Sequence, residues 1–382
     1  MHVVIVGAGI VGVSVACALA GRGVAVTVLD RDGGKQRGST AFAPGFVGVY
    51  NDAPVLTELA RASVDVYREL PAFAPSGGLE LATSSAGAET LAERVRSAQR
   101  AGLRATLDSP RGLPSFVDDR QVVAVARYDD DGVATPHLLR AQLRAVAESS
   151  GAQFVAPAEV VDVRPRGGGW TVRTADGRTL TADQVVLAAG IWGPGLAGML
   201  GRRLPLFPVA HPYVYARPRA PRVDPGPFVR WPEHHVYARA HGDTLGMGSY
   251  DHRPVPVAPA ALDGGAGLAW DPAFDAPIAS AQSRLHPDAR FTPSARVNGV
   301  FAMTPDNLPF LGPVPGAEGA WIAQAIWVTH AGGAALALSR ALCGELALPA
   351  ALACDRFEDA PAHDLETSAL RLYRDIYAHD SV

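Results

Sequence analysis

The chain opens on an apolar, mostly β-branched run, Val3-Val4-Ile5-Val6, which passes into Gly7-Ala8-Gly9-Ile10-Val11-Gly12 and then into Val13 to Ala20, apolar at helical spacing. This pattern predicts strand, glycine turn and helix. A second β-branched run, Val24 to Leu29, predicts a parallel strand ending in Asp30. Each part has a mechanical use in holding a dinucleotide. Gly7 makes the tight turn, Gly9 lets backbone approach a pyrophosphate, Gly12 lets helix pack on strand, and the acid about 20 residues on meets a ribose. The turn by itself fits NAD as well as FAD.

Farther along, a polar connector (residues 31–37) leads to Gly38-Ser39-Thr40-Ala41-Phe42-Ala43-Pro44-Gly45. Its small residues suit backbone pressed against a flat ligand. Apolar spacing predicts helices over 55–70 (Leu56, Leu59, Ala60, Val64 and Tyr67 on one face) and 85–100, then a loop-rich connection over 101–118. Thr135-Pro136-His137 opens a third helix, with Thr135 as N-cap and Leu138, Leu139, Leu143 and Val146 as its apolar residues. Short strands are predicted over 154–163, 170–174 and 179–180, joined by glycine turns. A buried strand follows, Gln184 to Trp192, whose small-residue end (Ala188-Ala189-Gly190) is what a sheet needs where its carboxyl edge faces a dinucleotide. From Leu204 to about Arg290 prolines become frequent and aromatics alternate with polar residues, which predicts an antiparallel, mostly β insertion. Strand character returns at 300–312 and 321–328. Thr329-His330-Ala331-Gly332-Gly333 then enters a helix to about Leu346, placed to aim its positive end at an electron-rich ring. Residues 365–377 predict an amphipathic tail helix.

Composition narrows the function. With 382 residues the chain has room for two subdomains, and 48% hydrophobic and 19% charged residues at net charge −4 are globular values. No charge block suggests nucleic acid, no apolar run is long enough to cross a bilayer, and the strand beginning at residue two leaves no room for a signal peptide, so a cytoplasmic protein is expected. Cys17, Cys343 and Cys354 show neither C-x-x-C nor metal-ligand spacing, and no metal site is expected. Lys35 is the only lysine among 34 basic residues, so almost no mechanism here rests on a lysine amine.

The order of these stretches resembles the D-amino-acid-oxidase-like flavoproteins, and within them the flavin half of dimethylglycine oxidase and of the sarcosine and dimethylglycine dehydrogenases. The more specific stretches are Gly38-Ser39-Thr40 with Ala43-Pro44-Gly45, Gly248-Ser249-Tyr250 with His252-Arg253-Pro254, Thr304-Pro305-Asp306, Trp327-Val328-Thr329-His330 and Arg356-Phe357-Glu358-Asp359. The resemblance implies a mixed α/β (α+β) chain in which a Rossmann-like FAD domain of the glutathione-reductase type (1–84, 135–203, 297–382) is interleaved with a mostly antiparallel substrate domain (85–134, 204–296). It implies FAD resting on Gly7, Gly9, Gly12, Asp30, Arg31, Ser39, Thr40, Phe42, Ala43, Pro44, Gly45, Val160, Ala189, Gly190, Trp192, His330, Ala331 and Gly332. In covalent relatives a histidine in the Ser-Thr-x-x-Ala-Pro-Gly segment bonds the flavin. Phe42 stands there, so non-covalent FAD is expected. Larger relatives continue into a folate-binding half, whereas this chain stops soon after Tyr377, so an iminium product is expected to meet water.

His211 and Tyr250 match the relatives' active-site histidine and tyrosine. A neutral histidine can take a proton from an ammonium group, and a tyrosine hydroxyl can orient the substrate. His252 is a weaker candidate for the substrate. The structural alternatives are a histidine satisfied within a strand, a rim aromatic, a surface role for His252 and a capping role for His330. A substrate carboxylate would want an arginine fork. Arg230, Arg239, Arg253 and Arg296 are the candidates, and the sequence does not rank them. The expected activity is oxidation of the C–N bond of a secondary or tertiary amine, an N-substituted glycine-like amino acid, with O2 a candidate acceptor. In several such oxidases a lysine beside the flavin speeds reaction with oxygen, and Lys35, in the connector, leaves oxidase against dehydrogenase open. The alternatives are a D-amino-acid or primary-amine oxidoreductase of the same fold, and a flavin-binding partner subunit that does not turn over.

Overall fold

A computed structural model describes residues 1–32, 38–219, 226–263 and 267–377. Lys35 lies outside the described residues. The strand His2–Val6 sits inside a six-stranded sheet whose order is Phe310–Pro313, Ala320–Gln324, Gln184–Leu187, His2–Val6, Ala25–Leu29, Gln153–Val155. All pairs are parallel except the first, which is antiparallel. Because side chains alternate across a strand, Val3 and Ile5 face one core and Val4 and Val6 the other. The first core is roofed by the helices Ile10–Ala20, Pro136–Ser149 and Ala331–Leu342. The second is roofed by a three-stranded sheet, Val160–Arg166, Gly169–Thr174 and Thr179–Ala182. The two predicted parallel strands and the glycine turn between strand and helix are present. Gly7 has φ of +109°, and a Cβ on Gly12 would lie 1.9 Å from the Gly7 carbonyl oxygen.

An eight-stranded sheet stands beside this layer, ordered Ala295–Met303, Phe207–Tyr215, Thr244–Ser249, Val236–His241, Phe228–Trp231, Gly78–Ala82, Ala124–Tyr128, Ala105–Asp108. It is antiparallel except where Phe228–Trp231 runs parallel to Gly78–Ala82. The expected boundaries at 84 and 297 cut across this sheet, since Gly78–Ala82 and most of Ala295–Met303 pair within it. The strand character over 300–312 falls on two strands in different sheets, Ala295–Met303 and Phe310–Pro313, parted by a turn at Asn307, whose φ is +61°. The loop-rich connection holds the edge strand Ala105–Asp108. Two of the specific stretches meet in space: Arg356 donates from Nε and Nη2 to Asp306 at 2.8 and 2.9 Å, tying the chain after the last sheet strand to that turn.

Helix faces show where tertiary packing overrides spacing. Leu139, Leu143 and Ala147 are buried on Pro136–Ser149, but Leu138 and Val146, expected with them, are largely exposed. Pro136 occupies the first turn, while the Thr135 side chain makes no capping bond. Gly332 and Gly333 are small for a reason different from the one expected. Helix Ala331–Leu342 crosses Pro54–Tyr67 so closely that a Cβ on Gly333 would lie 2.1 Å from the Leu59 carbonyl oxygen. The amides of Gly332 and Gly333 donate to Tyr67 Oη and Ser63 Oγ at 3.0 and 2.8 Å, so these two donors are spent on the neighbouring helix and not on a ring. Overpacking such a crossing costs about 1–3 kcal/mol. Gly333→Ala is therefore expected to lower the midpoint of thermal unfolding. Gly198→Ala, at an exposed position where a Cβ meets nothing within 4 Å, should hold or raise the midpoint, corresponding to about 0.5–1 kcal/mol of added stability. Equal midpoints for the two variants would refute the crossing argument.

Candidate active site

The carboxyl ends of the parallel strands and one face of the large sheet enclose a single cavity of about 540 Å³. It begins at Gly7, Gly9, Asp30 and Arg31, runs past Ser39, Thr40, Phe42, Ala43, Pro44 and Gly45, and is walled by Val160, Ala189, Gly190 and Trp192. It ends among His330, His211, Tyr250, Tyr237 and Arg230. One opening of that length, with a nucleotide turn at one end and titratable groups at the other, suits an extended ligand.

At the first end, Asp30 accepts from the Ala8 and Asp32 amides at 2.7 and 2.8 Å, so the acid is held against the glycine turn. Thr40 accepts from the Ile10 amide at 3.1 Å. A Cβ on Gly9 would meet only Thr40 Oγ1, at 3.5 Å, so the protein alone does not demand glycine there. Arg31 stacks over Trp192, 4.2 Å from guanidinium carbon to ring centre. Arg140, which the sequence reading did not single out, reaches from helix Pro136–Ser149 and donates to the Ala8 carbonyl at 2.9 Å. Among the described residues, Arg31 Nη2, Arg140 Nε, Trp192 Nε1, Gln324 Oε1 and Arg230 Nε are buried without a hydrogen-bond partner, and all five belong to residues lining this cavity. Buried polar groups are ordinarily paired, so a polar ligand such as a dinucleotide fits this donor set. Gln324 sits at a strand's carboxyl end, the same rule that pointed to Ala188 and Ala189, and that rule applied to 320–324 would have found it.

At the other end, His211 on strand Phe207–Tyr215 and Tyr237 on Val236–His241 are joined by a short hydrogen bond. A Cβ on Gly248 would lie 2.4 Å from Tyr237 Cζ, so the glycines that interrupt Thr244–Ser249 make room for the ring. Tyr250 lies against His211 with ring centres 4.4 Å apart. Burial, with His252 adding to it, holds the His211 imidazole well below its usual 6.5, so it is neutral at ordinary pH. The Tyr237 and Tyr250 hydroxyls are pushed up, chiefly by burial. The tail closes this end: Ile376 and Tyr377 line it, and Tyr373, four residues before Tyr377, bonds His211 from behind. The i, i+4 aromatic pair in the predicted tail helix was the available signal.

Several candidates sit elsewhere. Gly12, Ala331 and Gly332 do not line the cavity and serve helix packing. Arg239 is buried, and its guanidinium donates to the carbonyls of Pro44, Gly45 and Ala134, pinning the small-residue segment to strand Gly132–Ala134. Arg253 is exposed, and Arg296 pairs with Asp275. His252 lies behind Tyr373, outside the cavity. His330 lines the cavity and makes no side-chain cap. Of the four candidate arginines, Arg230 alone lines the cavity, 3.5 Å from one Glu80 carboxylate oxygen, while Arg94, which also lines it, donates to the other at 2.9 Å. Burial pushes the Asp131 carboxyl beside them up to about 7, although Arg230 and the Val49 amide pull the other way.

The Asp131 shift sets the sign of a pH dependence. An unfolded carboxyl ionises near 3.8. Between about pH 4 and pH 7 the unfolded chain has released this proton and the folded chain keeps it, so this group's contribution to stability falls as pH rises through that window. Asp131→Asn is expected to flatten that part of the thermal midpoint against pH. Parallel curves for variant and parent would show that Asp131 ionises normally.

Among the described residues no helix is long and apolar enough to cross a membrane. In comparisons with known proteins, the family model described as FAD dependent oxidoreductase (DAO) matches residues 2–347. The chain is 27% identical over 365 residues to mitochondrial dimethylglycine dehydrogenase of Mus musculus, covering 88% of this chain and 41% of that protein. It thus spans about two fifths of the dimethylglycine dehydrogenases it matches. Glycine oxidase of Pseudomonas putida is 28% identical over 357 residues, covering 84% of this chain and 88% of that protein. Among solved structures, L-proline dehydrogenase from P. horikoshii superposes with a TM-score of 0.83 at 21% identity, over 94% of this chain and 97% of that one, a likeness of fold. The glycine turn, the long cavity and the family match over 2–347 converge: the chain belongs to the DAO family of FAD-dependent oxidoreductases.

Proposed function

We propose that this protein oxidises the C–N bond of an amino-acid-like amine, favouring a secondary or tertiary N-substituted glycine. The observation that carries the reading is the pairing, at one end of the cavity, of a cationic fork at Arg230 with the neutral His211–Tyr237 pair and Tyr250. Arg230, with its buried Nε unpartnered, takes the substrate carboxylate. Glu80 is shared with Arg94, and Asp131 holds its proton to about pH 7, so Arg230 keeps positive charge for the substrate. Tyr250, its ring tilted 42° against His211 at 4.4 Å, shapes the slot where the amine nitrogen rests. The His211–Tyr237 pair receives a proton when the substrate arrives as an ammonium ion, freeing the lone pair that oxidation needs. FAD, held along the cavity by the Arg31, Arg140, Trp192 and Gln324 donors and acceptors, supplies an acceptor for a hydride equivalent. Water then splits the imine into an amine and an aldehyde or glyoxylate-type product. Phe42, whose Cβ lies 3.2 Å from where a Cβ on Gly299 would stand, offers no nucleophile to the ring, which supports FAD held without a covalent bond.

A second reading, oxidation of a primary amine, draws support from the glycine oxidase match, which spans 88% of that protein. Anaerobic mixing with sarcosine, dimethylglycine, N-amino glycines, glycine and D-amino acids separates the two by which of them bleaches the flavin. Bleaching by none overturns both. Arg230→Ala is expected to weaken binding of carboxylate-bearing substrates about 10- to 100-fold, the worth of a charge-assisted hydrogen bond, and to leave carboxylate-free amines unaffected. Acid precipitation should leave a colourless pellet, and a yellow one would contradict the non-covalent reading.

A further inference from the structure

The hydrogen bonds behind His211 continue past the cavity wall. Tyr373 Oη stands 2.6 Å from His211 Nδ1, 3.0 Å from His252 Nε2 and 3.0 Å from the Ala210 carbonyl oxygen. His252 Nδ1 stands 2.9 Å from the Arg253 carbonyl oxygen, and Arg253 is exposed. Counting protons orders the set. A carbonyl only accepts, so neutral His252 carries its proton on Nδ1 and offers Nε2 as an acceptor. Tyr373 has one proton, and its two acceptors are His252 Nε2 and Ala210 O. Spending that proton on His211 would strand both. His211 therefore donates from Nδ1 to the Tyr373 oxygen, and its Nε2 accepts from the Tyr237 hydroxyl.

From this arrangement we infer that Tyr237, His211, Tyr373 and His252 form a directed proton wire from the cavity to the protein surface, and that it carries away the proton released by an ammonium substrate. The inference rests on the amine-oxidation reading above. As the substrate N–H bond breaks, an O–H bond forms at Tyr237, whose own proton passes to His211 Nε2. The Nδ1 proton passes to Tyr373, and the Tyr373 proton to His252 Nε2. His252, which is partly exposed, releases its Nδ1 proton to solvent as its bond to the Arg253 carbonyl opens. One proton leaves the cavity, the freed electron pair stays on the substrate nitrogen, and no group is oxidised or reduced. Burial keeps both imidazoles from storing the charge, which suits carriers more than a terminal base. The groups that face the wire are Tyr250, Tyr213 and Tyr377 at Tyr237, Tyr250 at His211 and Tyr373, and Asp251 and Asp271 at His252. The two acids at the outer end favour a positive charge where the proton exits.

Two variants test the wire, Tyr373→Phe, which keeps the ring, and His252→Asn, which changes a partly exposed residue. In protein carrying 15N-labelled histidine, His211 is expected as the Nδ1–H tautomer, moving to Nε2–H in Tyr373→Phe. In anaerobic mixing with sarcosine at neutral pH, both variants should bleach the flavin about 100-fold more slowly than the parent protein, the scale of lost acid–base assistance. The gap should close as pH rises past the substrate amine's own ionisation, because a neutral amine has no proton to export. A purely structural defect would persist at high pH and counts against the wire. Variant rates equal to the parent's, or His211 found as Nε2–H in the parent, overturn the wire alone. A parent protein that no amine bleaches overturns the amine-oxidation reading and the wire with it.

Discussion

The helix Ile10–Ala20 rests on the strand before it with no room for a side chain between Gly12 and the Gly7 carbonyl, and Gly7 in turn presses on the Ala188 carbonyl. This contact locks three chain segments, His2–Val6, the helix and the end of Gln184–Leu187, into one corner. Everything at the nucleotide end is placed from that corner. Asp30 is drawn in because the Ala8 amide needs an acceptor, Arg140 because the Ala8 carbonyl needs a donor, and Thr40 because the Ile10 amide needs an acceptor. A buried turn leaves its backbone groups no water, so side chains from distant segments must converge on it.

The opposite end of the cavity is built on a different logic. There the large sheet offers a face of stacked rings, and the small residues are spacers. Gly248 admits Tyr237, Gly246 admits Tyr213, and Gly299 admits Phe42. Polar atoms on those rings find one another in the apolar interior, and low dielectric strengthens each bond while fixing its direction.

Long, strongly periodic elements were legible in the sequence. The first strand, the glycine turn, the helices and the tail all lie close to where spacing puts them, because their apolar runs are long and bounded by clear turn residues. The strands Gly78–Ala82 and Ala124–Tyr128 were not legible. Both are buried on both faces, and one carries Glu80 in its middle, which breaks any apolar pattern although the carboxylate is paired inside. His211 and Tyr250 reached the cavity through their resemblance to relatives, not through any local signal. The arginines could not be ranked, since Arg230 and Arg239 differ only in what surrounds them. One faces the cavity, and the other is consumed by backbone carbonyls. Tyr373 was invisible as a polar residue because a tyrosine on an amphipathic helix reads as core, which it also is.

The tail helix Ala362–Arg374 and the residues after it lie beyond the stretch that the family model matches, yet they supply Tyr373, Ile376 and Tyr377 to the substrate end. The nucleotide corner and this end of the cavity therefore draw on separate parts of the chain. Substitutions in a short terminal segment can reshape the reacting end without disturbing a single contact to the Gly7–Gly12 turn. The same segment is also core, since Ala369 and Tyr373 are fully buried, so the end of the cavity it shapes is tied to the packing of the large sheet.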